Sequence, residues 1–340
     1  MSRSIPSALP RYFRNHLSPP KITRRHQHTI SAAEAAQSLL SRFQGVKSTT
    51  EQIPDGTQLQ KLSLTLNRSA LYPDLDVSRR TPPDNTLIPP GYHLVYFTPG
   101  GVEEDLGPDG TDARYNAPYP FTRRMWAGGK MRWEGGGGLR VGQEVRESTT
   151  LLSALPKVRR DGLEMVLVQV RKEFENEGGV VLVDEQSWIF RPEATVASPA
   201  ASKAIGDFII RGPSTVKDIP QVEGYPKREL RWSPTGLFRF SALTFNGHKI
   251  HYDPAWSTAV EGHAGCVVHG PMNLICMLDY WRDHCQPNGR VLKEIEYRAL
   301  APIYAGETYD IGAERMGDDK WEVLVRKDGK VCMRGEILAA

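Results

Sequence analysis

The sequence lacks the short motifs that mark several common enzyme classes. Its four cysteines (Cys266, Cys276, Cys285 and Cys332) form no CxxC pair, which argues against a zinc knuckle or a thioredoxin-type site. Neither GxGxxG nor GxxxxGK[ST] occurs, so the glycines within 123–145 do not form a recognisable phosphate-binding loop. A GxSxG motif is missing as well, which sets aside a serine hydrolase built on a nucleophile elbow.

Long apolar runs are also missing. The 340 residues are 39% apolar and 24% charged, and their mean hydropathy is -0.43. No apolar run approaches the roughly 20 residues that cross a bilayer as a helix, so we expect no membrane span. At about 150 residues per domain, the length predicts two domains or one large one.

Acidic residues are absent from the start of the chain. Residues 1–33 carry six Arg or Lys residues and no Asp or Glu, which leaves 37 basic against 40 acidic groups in the remainder. A basic leader without acids is typical of an organellar transit peptide, and a disordered, solvated tail is the alternative. The mildly acidic remainder gives no support to a nucleic-acid partner.

The first half alternates helix and strand signals. Apolar spacing predicts a helix over 32–44, and the alternation of Leu62, Leu64 and Leu66 indicates a strand. The apolar run 89–100 fits a short buried helix or a strand, and its period does not decide between them. Three long strand-like segments between 145 and 191, joined by Gly-containing turns, predict an antiparallel meander.

The second half repeats this design after a stretch rich in Ala, Ser and Pro. An apolar, helix-like run at 269–285 precedes several long strand-like segments. We therefore predict a duplicated α+β unit with one half at 34–195, a linker at 196–224 and the other half at 225–340.

Proton-transfer chemistry concentrates in the segment SALTFNGHKIHYD, residues 241–253. A helix here would place His248 and His251 together as possible metal ligands, but alternation in the preceding LFRFSALTF favours a loop. A loop that holds an imidazole beside the Asn246 amide suits proton transfer, because histidine ordinarily titrates near pH 6.5. Histidines that only satisfy the core or lie on the surface are the alternative.

A second candidate site begins at His269. Pro271 suits the first turn of a helix, and Gly270 lets a substrate approach the free backbone N–H groups there. An enolate oxygen forming from a thioester would be stabilised by those dipoles; simple helix entry is the alternative. Arg124 and Trp126 are candidates for binding a substrate phosphate. Alternatively, they lie in a solvated turn.

The sequence resembles the hydroxyacyl-thioester dehydratase type 2 and mesaconyl-CoA hydratase group of the MaoC-like hot-dog superfamily. In the second half the resemblance rests on FRFSALTFNGHKIHYD, GCVVHGPMNLICMLDYW and EIEYRALAPIYAGE. In the first half PPGYHLVYFTP, LGPDG and PFTRRMWAGGKMRW resemble the degenerate first hot dog of that group. The resemblance covers about 50–340.

That resemblance implies an α+β double hot-dog fold, in which antiparallel sheets each wrap a central helix. It also implies reversible hydration of a trans-2-enoyl thioester carried on CoA or acyl carrier protein, without a metal or redox cofactor. Monomer and homodimer are both compatible with a double hot dog. We expect a mitochondrial dehydratase of fatty-acid synthesis; the alternatives are a hydratase of a short branched dicarboxylic CoA and a non-catalytic thioester-binding protein.

The superfamily's catalytic loop has the form D-x-N-P-x-H, and this chain departs from it. His251 takes the histidine position, Asn246 the aspartate position and His248 the asparagine position. Because an amide accepts no proton as a carboxylate does, we expect His251 to move the proton and Asn246 to hold the hydroxyl or water. His248 would orient His251 or act as a second proton carrier. By resemblance, the Gly270 N–H would polarise the thioester carbonyl, and His269 would also contact the substrate.

Overall fold

The computed structural model describes residues 29–135, 137–193, 210–287 and 289–340. Most of the leader predicted at 1–33 therefore lies outside the described residues, as does the part of the predicted linker at 194–209. Within the described ranges, no helix combines the length and hydropathy that a bilayer crossing requires.

The first half contains two helices, two short paired strands and five long strands. In chain order these elements are α1 (Ala32–Phe43), β1 (Lys47–Gln52), α2 (Gly56–Thr65), β2 (Ala70–Tyr72), β3 (Leu75–Asp76), β4 (Arg123–Trp133), β5 (Val145–Val158), β6 (Glu164–Asn176) and β7 (Gly179–Arg191). Short 3-10 turns lie at Tyr92–Val95 and Glu103–Asp105. The predicted meander over 145–191 is confirmed as β5, β6 and β7.

The second half places its main helix between two groups of strands. Its elements are β8 (Thr215–Ile219), β9 (Lys227–Arg231), α3 (Pro234–Leu243), a 3-10 turn (Lys249–His251), a π-helical turn (Trp256–Val260), α4 (Gly270–His284), β10 (Leu292–Ala299), β11 (Thr308–Arg315), β12 (Lys320–Lys327) and β13 (Lys330–Ala339). Strand β8 lies within the segment predicted as a linker, and it pairs with β9 at the edge of the sheet.

The two halves share one antiparallel sheet of 11 strands. Its order is β1-β5-β6-β7-β4-β10-β13-β12-β11-β9-β8, so the first half ends at β4 and the second begins at β10. The two half-sheets meet through the β4–β10 pair, in which Arg132 lies opposite Glu294 and Gly128 opposite Arg298. The α+β double hot-dog prediction is confirmed, and the two sheets are continuous through this pair.

Helix α4 forms the centre of the second half, as the apolar run at 269–285 predicted. Every residue from Met272 to Trp281 is buried, because the helix is enclosed by strands such as β11 and β12 and by the first half. The run 89–100 gives only the 3-10 turn Tyr92–Val95. That turn packs against α4, and the Tyr92 hydroxyl donates a hydrogen bond to Asp279 Oδ2 at 2.8 Å.

Two predicted strands are helices. The strand at Leu62, Leu64 and Leu66 is wrong: Asp55 caps α2 by accepting the Gln58 N–H at 2.9 Å, and the fully buried leucines follow a helical spacing. The alternation in LFRFSALTF likewise belongs to α3. Ser233 caps that helix and Pro234 occupies its first turn, so local capping outweighs the apparent period of two.

A buried series of hydrogen bonds connects α4 to strand β11. Trp232 Nε1 donates to the Tyr309 hydroxyl at 2.6 Å, and that hydroxyl donates to Asn273 Oδ1 at 2.5 Å. Replacing Tyr309→Phe leaves buried groups unpaired, so we expect the free energy of unfolding to fall by roughly 1–3 kcal/mol in urea titrations. Tyr119→Phe, at an exposed position, should change it little; equal losses in the two variants would contradict this account.

Candidate active site

All seven candidate residues line one cavity. Its volume is about 970 Å³, and it lies between the inner surfaces of the two halves. That volume is at the upper end of the range for small-molecule sites. The second half contributes five of the seven residues in two short segments: Asn246, His248 and His251 in the first, and His269 and Gly270 in the second. The first half contributes the other two, Arg124 and Trp126, from β4, and it also adds His93 from the 3-10 turn at 92–95 to the cavity wall.

The loop after α3 leads into the 3-10 turn Lys249–His251 and is held by hydrogen bonds of Asn246. The Asn246 N–H donates to the Ser241 carbonyl at 2.8 Å, and Asn246 Oδ1 accepts the His248 N–H at 3.0 Å. The amide oxygen is therefore used to hold the loop. Its Nδ2 group bonds to no described residue, so it remains available as a hydrogen-bond donor to a ligand in the cavity.

His251 is buried and has one ring nitrogen committed. Its Nδ1 lies 2.7 Å from the Val267 carbonyl oxygen, which can only accept, so Nδ1 carries the hydrogen and Nε2 presents a lone pair. Burial lowers the pKa of His251 to about 3, and the neighbouring His248 contributes to this lowering. The imidazole is therefore neutral near pH 7, as a general base requires.

His269 supports His251 directly. The two rings stack with centroids 3.6 Å apart and an interplanar angle of 19°. His269 Nε2 lies 2.8 Å from the Ser241 hydroxyl, and this hydrogen bond anchors the His269 ring to α3. Burial lowers the pKa of His269 well below its usual value, so two neutral rings are in contact. His269 was predicted to contact substrate; in the structure its nearest functional contact is His251.

The ring of His248 lies edge-on to His251, with centroids 5.4 Å apart and an interplanar angle of 82°. Burial lowers the pKa of His248 to about 3, with a contribution from the positive charge of Arg124. Its Nε2 lies 3.6 Å from Asp109 Oδ2, a carboxylate oxygen that belongs to the first half. The sequence analysis missed Asp109, although it lies within the LGPDG motif that carries part of the family resemblance.

The start of α4 has free backbone donors. His269 occupies the N-cap position without a side-chain capping bond, and Pro271 has no N–H. No described residue accepts a hydrogen bond from the Gly270 N–H. A Cβ at position 270 would lie 2.2 Å from Trp126 Cε3, so only glycine leaves room for the indole that covers this end of the helix. Trp126 in turn stacks on Tyr297 with centroids 4.9 Å apart.

Arg124 places a cation in the cavity without a close carboxylate. Its Nη1 donates to the Asp112 carbonyl at 3.1 Å, and its guanidinium lies 4.0 Å above the ring of Trp188. Burial lowers the pKa of Arg124, and the charges of Asp112 and Asp109 partly offset that effect. Among the described residues, no carboxylate comes within 4.0 Å of the guanidinium, which leaves N–H donors for an anionic ligand.

Together these groups combine a neutral imidazole base, an uncapped helix N-terminus, an amide donor and a cation. This combination suits removal of a proton next to a carbonyl, because the base and the stabiliser of the resulting enolate face one cavity. In the described parts of the chain, no cluster of three or more His, Cys, Asp or Glu side chains is arranged to hold a metal. The four cysteines are buried free thiols.

Sequence comparisons connect the chain to one enzyme family. A sequence model of the family described as hydroxyacyl-thioester dehydratase type 2 matches residues 91–305. The chain is 30% identical over 240 residues to the mesaconyl-C(4)-CoA hydratase of Chloroflexus aurantiacus, covering 70% of this chain and 78% of that protein. It is 24% identical over 259 residues to the mitochondrial hydroxyacyl-thioester dehydratase type 2 of Schizosaccharomyces pombe, covering 68% and 80%.

Solved structures agree on the fold. A MaoC-like dehydratase from Phytophthora capsici matches with a TM-score of 0.60 at 18% identity, covering 87% of this chain and 95% of that one. HtdX of Mycobacterium tuberculosis matches with a TM-score of 0.55 at 14% identity, covering 86% and 99%. At these identities the likeness supports the shared architecture alone.

The lowered pKa of His251 predicts an unusual pH profile. A base with an ordinary histidine pKa of about 6.5 would lose roughly fourfold in kcat/KM between pH 8 and pH 6, as it becomes protonated. With a pKa of about 3, His251 stays unprotonated over this range, so we expect kcat/KM for an enoyl or 3-hydroxyacyl thioester to stay nearly constant.

Folding must be followed at each pH in the same series. Histidines buried in the neutral form take up protons on unfolding, so the folded state loses stability as the pH falls below about 6.5. Circular dichroism separates that loss from titration of the active site. A fall in kcat/KM with a midpoint near pH 6.5, while the protein remains folded, would contradict the assignment.

Proposed function

Because the chain belongs to the hydroxyacyl-thioester dehydratase type 2 family, we propose that it interconverts 3-hydroxyacyl and trans-2-enoyl thioesters by removing or adding water at the cavity described above. The family consists of dehydratases and hydratases, so the protein is a hydro-lyase. One observation carries the assignment of the site: His251 Nε2, with its lone pair free, shares a cavity with the uncapped Gly270 N–H.

In the dehydration direction, His251 Nε2 takes the proton from C2 of the 3-hydroxyacyl thioester. The electron pair left on C2 moves toward the thioester carbonyl, whose oxygen accepts a hydrogen bond from the Gly270 N–H. The imidazolium then returns the same proton to the hydroxyl on C3 as the C–O bond breaks. The products are a C2–C3 double bond and one water, and His251 is again neutral.

Asn246 acts on the hydroxyl and not on the proton. Its Oδ1 is bonded to the His248 N–H, so the amide presents Nδ2–H donors to the cavity. A donor placed at the C3 hydroxyl stabilises the negative charge that grows on that oxygen as the C–O bond breaks. This role does not require the carboxylate that the superfamily loop carries at this position.

Fatty-acid synthesis in mitochondria is the first candidate pathway. The family relative from Schizosaccharomyces pombe is a mitochondrial enzyme, and the leader at 1–33 has the basic, acid-free composition of a transit peptide. The substrate would then be a 3-hydroxyacyl group carried by acyl carrier protein or CoA.

A hydratase of a short branched dicarboxylic CoA is the second candidate. Arg124 favours it, because its guanidinium lies in the cavity beside the catalytic histidines without a close carboxylate partner. A phosphate of CoA is separated from the thioester by the whole pantetheine arm. A carboxylate on a short acyl group lies within a few bonds of the reacting carbons and therefore fits this cation better.

Replacing His251 tests the proposed base. His251→Asn keeps an N–H donor for the Val267 carbonyl and removes the base, so we expect kcat to fall by about 10²–10⁴-fold with crotonyl-CoA or a 3-hydroxyacyl-CoA. His284→Asn, at the far end of α4, is the matched control and should retain activity. Turnover by His251→Asn within tenfold of the unaltered protein would refute the role of His251. Binding without turnover by the unaltered protein would instead favour a non-catalytic thioester-binding protein.

Replacing Arg124 distinguishes the two substrate classes. We expect Arg124→Met to lower kcat/KM for mesaconyl-CoA by roughly 10–100-fold, since a charge-assisted hydrogen bond is lost, and to affect crotonyl-CoA by only a few-fold. The measurement is a paired assay of both thioesters with both proteins. Equal losses on the two substrates would assign Arg124 a structural role, and failure of the unaltered protein to turn over mesaconyl-CoA would exclude the dicarboxylic candidate.

A further inference from the structure

A turn of the first half is docked on the catalytic loop of the second half. The Lys249 N–H donates to the Asp109 carbonyl at 2.9 Å, and Lys249 Nζ donates to the Pro108 carbonyl at 2.8 Å. A Cβ at Gly110 would lie 2.1 Å from the Gly247 carbonyl oxygen, so the two backbones are in direct contact. This docking fixes the position of Asp109 relative to the loop that carries His248 and His251.

The carboxylate of Asp109 is oriented toward His248. Its Oδ1 accepts the Thr111 N–H at 3.0 Å and the Thr111 hydroxyl at 2.7 Å. Its Oδ2 is buried without a hydrogen-bond partner and lies 3.6 Å from His248 Nε2. Both residues are more than nine-tenths buried. One oxygen is thus anchored and the other faces the imidazole.

This geometry bears on the missing carboxylate of the catalytic loop. Position 246 carries an amide, and within the described residues the ring of His248 makes no hydrogen bond, so the Asp109 carboxylate at 3.6 Å is the charged group that acts on its nitrogens. Among the described residues, Asp109 is therefore the group that distinguishes the two ring nitrogens of His248. Because a carboxylate only accepts hydrogen bonds, it favours the tautomer with hydrogen on Nε2. That tautomer leaves the Nδ1 lone pair as an acceptor.

We propose that Asp109, supplied by the first half, is a positioning residue that holds His248 with Nε2–H toward its carboxylate and Nδ1 as the acceptor for the substrate hydroxyl or the attacking water. This inference rests on the proposed function. The reacting oxygen is then held by one donor, Asn246 Nδ2, and one acceptor, His248 Nδ1, with His251 moving the proton. The half that lacks the catalytic histidines thereby contributes to catalysis as well as to the cavity wall.

Asp109→Asn tests the proposal with little change in shape. The amide can keep the bonds of Oδ1 to Thr111 and turn an N–H toward His248 Nε2, which reverses the preferred tautomer. We expect kcat to fall by about 10–100-fold with KM for crotonyl-CoA nearly unchanged, the range known for groups that orient metal-bound histidines. Asp105→Asn, an exposed acid in the same loop, is the charge-matched control and should retain full activity.

A double-mutant cycle shows whether Asp109 acts through His248. In a His248→Gln background, Asp109→Asn should lower kcat by less than about twofold, because the residue it positions is already absent. A loss of the same size in both backgrounds would overturn the proposal and leave Asp109 a structural residue of the docked turn.

Nuclear magnetic resonance provides a readout that needs no substrate. Correlation of ring ¹⁵N nuclei with ring protons, assigned through His248→Gln, should show hydrogen on Nε2 of His248 in the unaltered protein and on Nδ1 in Asp109→Asn. Hydrogen on Nδ1 in the unaltered protein would refute the proposal even if the enzyme is active, and hydrogen on Nε2 would support it even if the proposed reaction fails. If Asp109→Asn does not fold, Thr111→Val, which releases Oδ1, should weaken the same tautomer preference.

Discussion

The candidate active site depends on a pair of hydrogen bonds that join the loop carrying His251 to the entrance of α4. The Val267 N–H donates to the Ile250 carbonyl at 2.8 Å, and the Val267 carbonyl accepts from His251 Nδ1 at 2.7 Å. The first bond sets the distance between the two segments, and the second selects the tautomer of the proposed base. Val267 makes both bonds, and the two segments that it joins carry His251 and Gly270, which line the same cavity.

The two halves contribute different parts of the candidate site. The second half is built around helix α4, whereas the apolar run 89–100 of the first half forms only the turn Tyr92–Val95, which packs on α4. Strand β4 of the first half supplies Arg124 and Trp126 to the cavity wall, and a turn of the same half places Asp109 beside His248. The half without the candidate histidines therefore contributes side chains to the candidate site.

Local signals in the sequence predicted the elements around the candidate site that lie close together in the chain. Pro271 and the apolar run after it marked α4, and the concentration of Asn246, His248 and His251 in one short segment marked the candidate loop, although the alternation used to argue for a loop belongs to α3. The strand predicted at Leu62, Leu64 and Leu66 was wrong because the Asp55 cap outweighs a three-residue alternation. The tautomer of His251 needed the position of a backbone carbonyl, which no residue pattern encodes.

Asp109 illustrates the other limit of prediction from sequence. It is separated from His248 by a β-strand meander and a linker, and the contact between them follows from the docking of two turns. Periodicity and capping act over a few residues and carry no information about such a pair. Resemblance to the family did highlight LGPDG, but only the fold shows that its acid faces the catalytic loop.

The low pKa of His251 raises the question of how a weak base removes a proton from carbon. Burial disfavours the imidazolium of His251, and the neighbouring His248 adds to this effect. In the proposed transition state the situation differs, because the proton would leave negative charge on the thioester oxygen within the same low-dielectric cavity. An imidazolium and an enolate would attract each other strongly there, and the Gly270 N–H would add to the stabilisation. In the proposed mechanism, burial thus penalises the cation only while its partner charge is absent, so the transition state would be stabilised more than the ground state, which is the condition for catalysis.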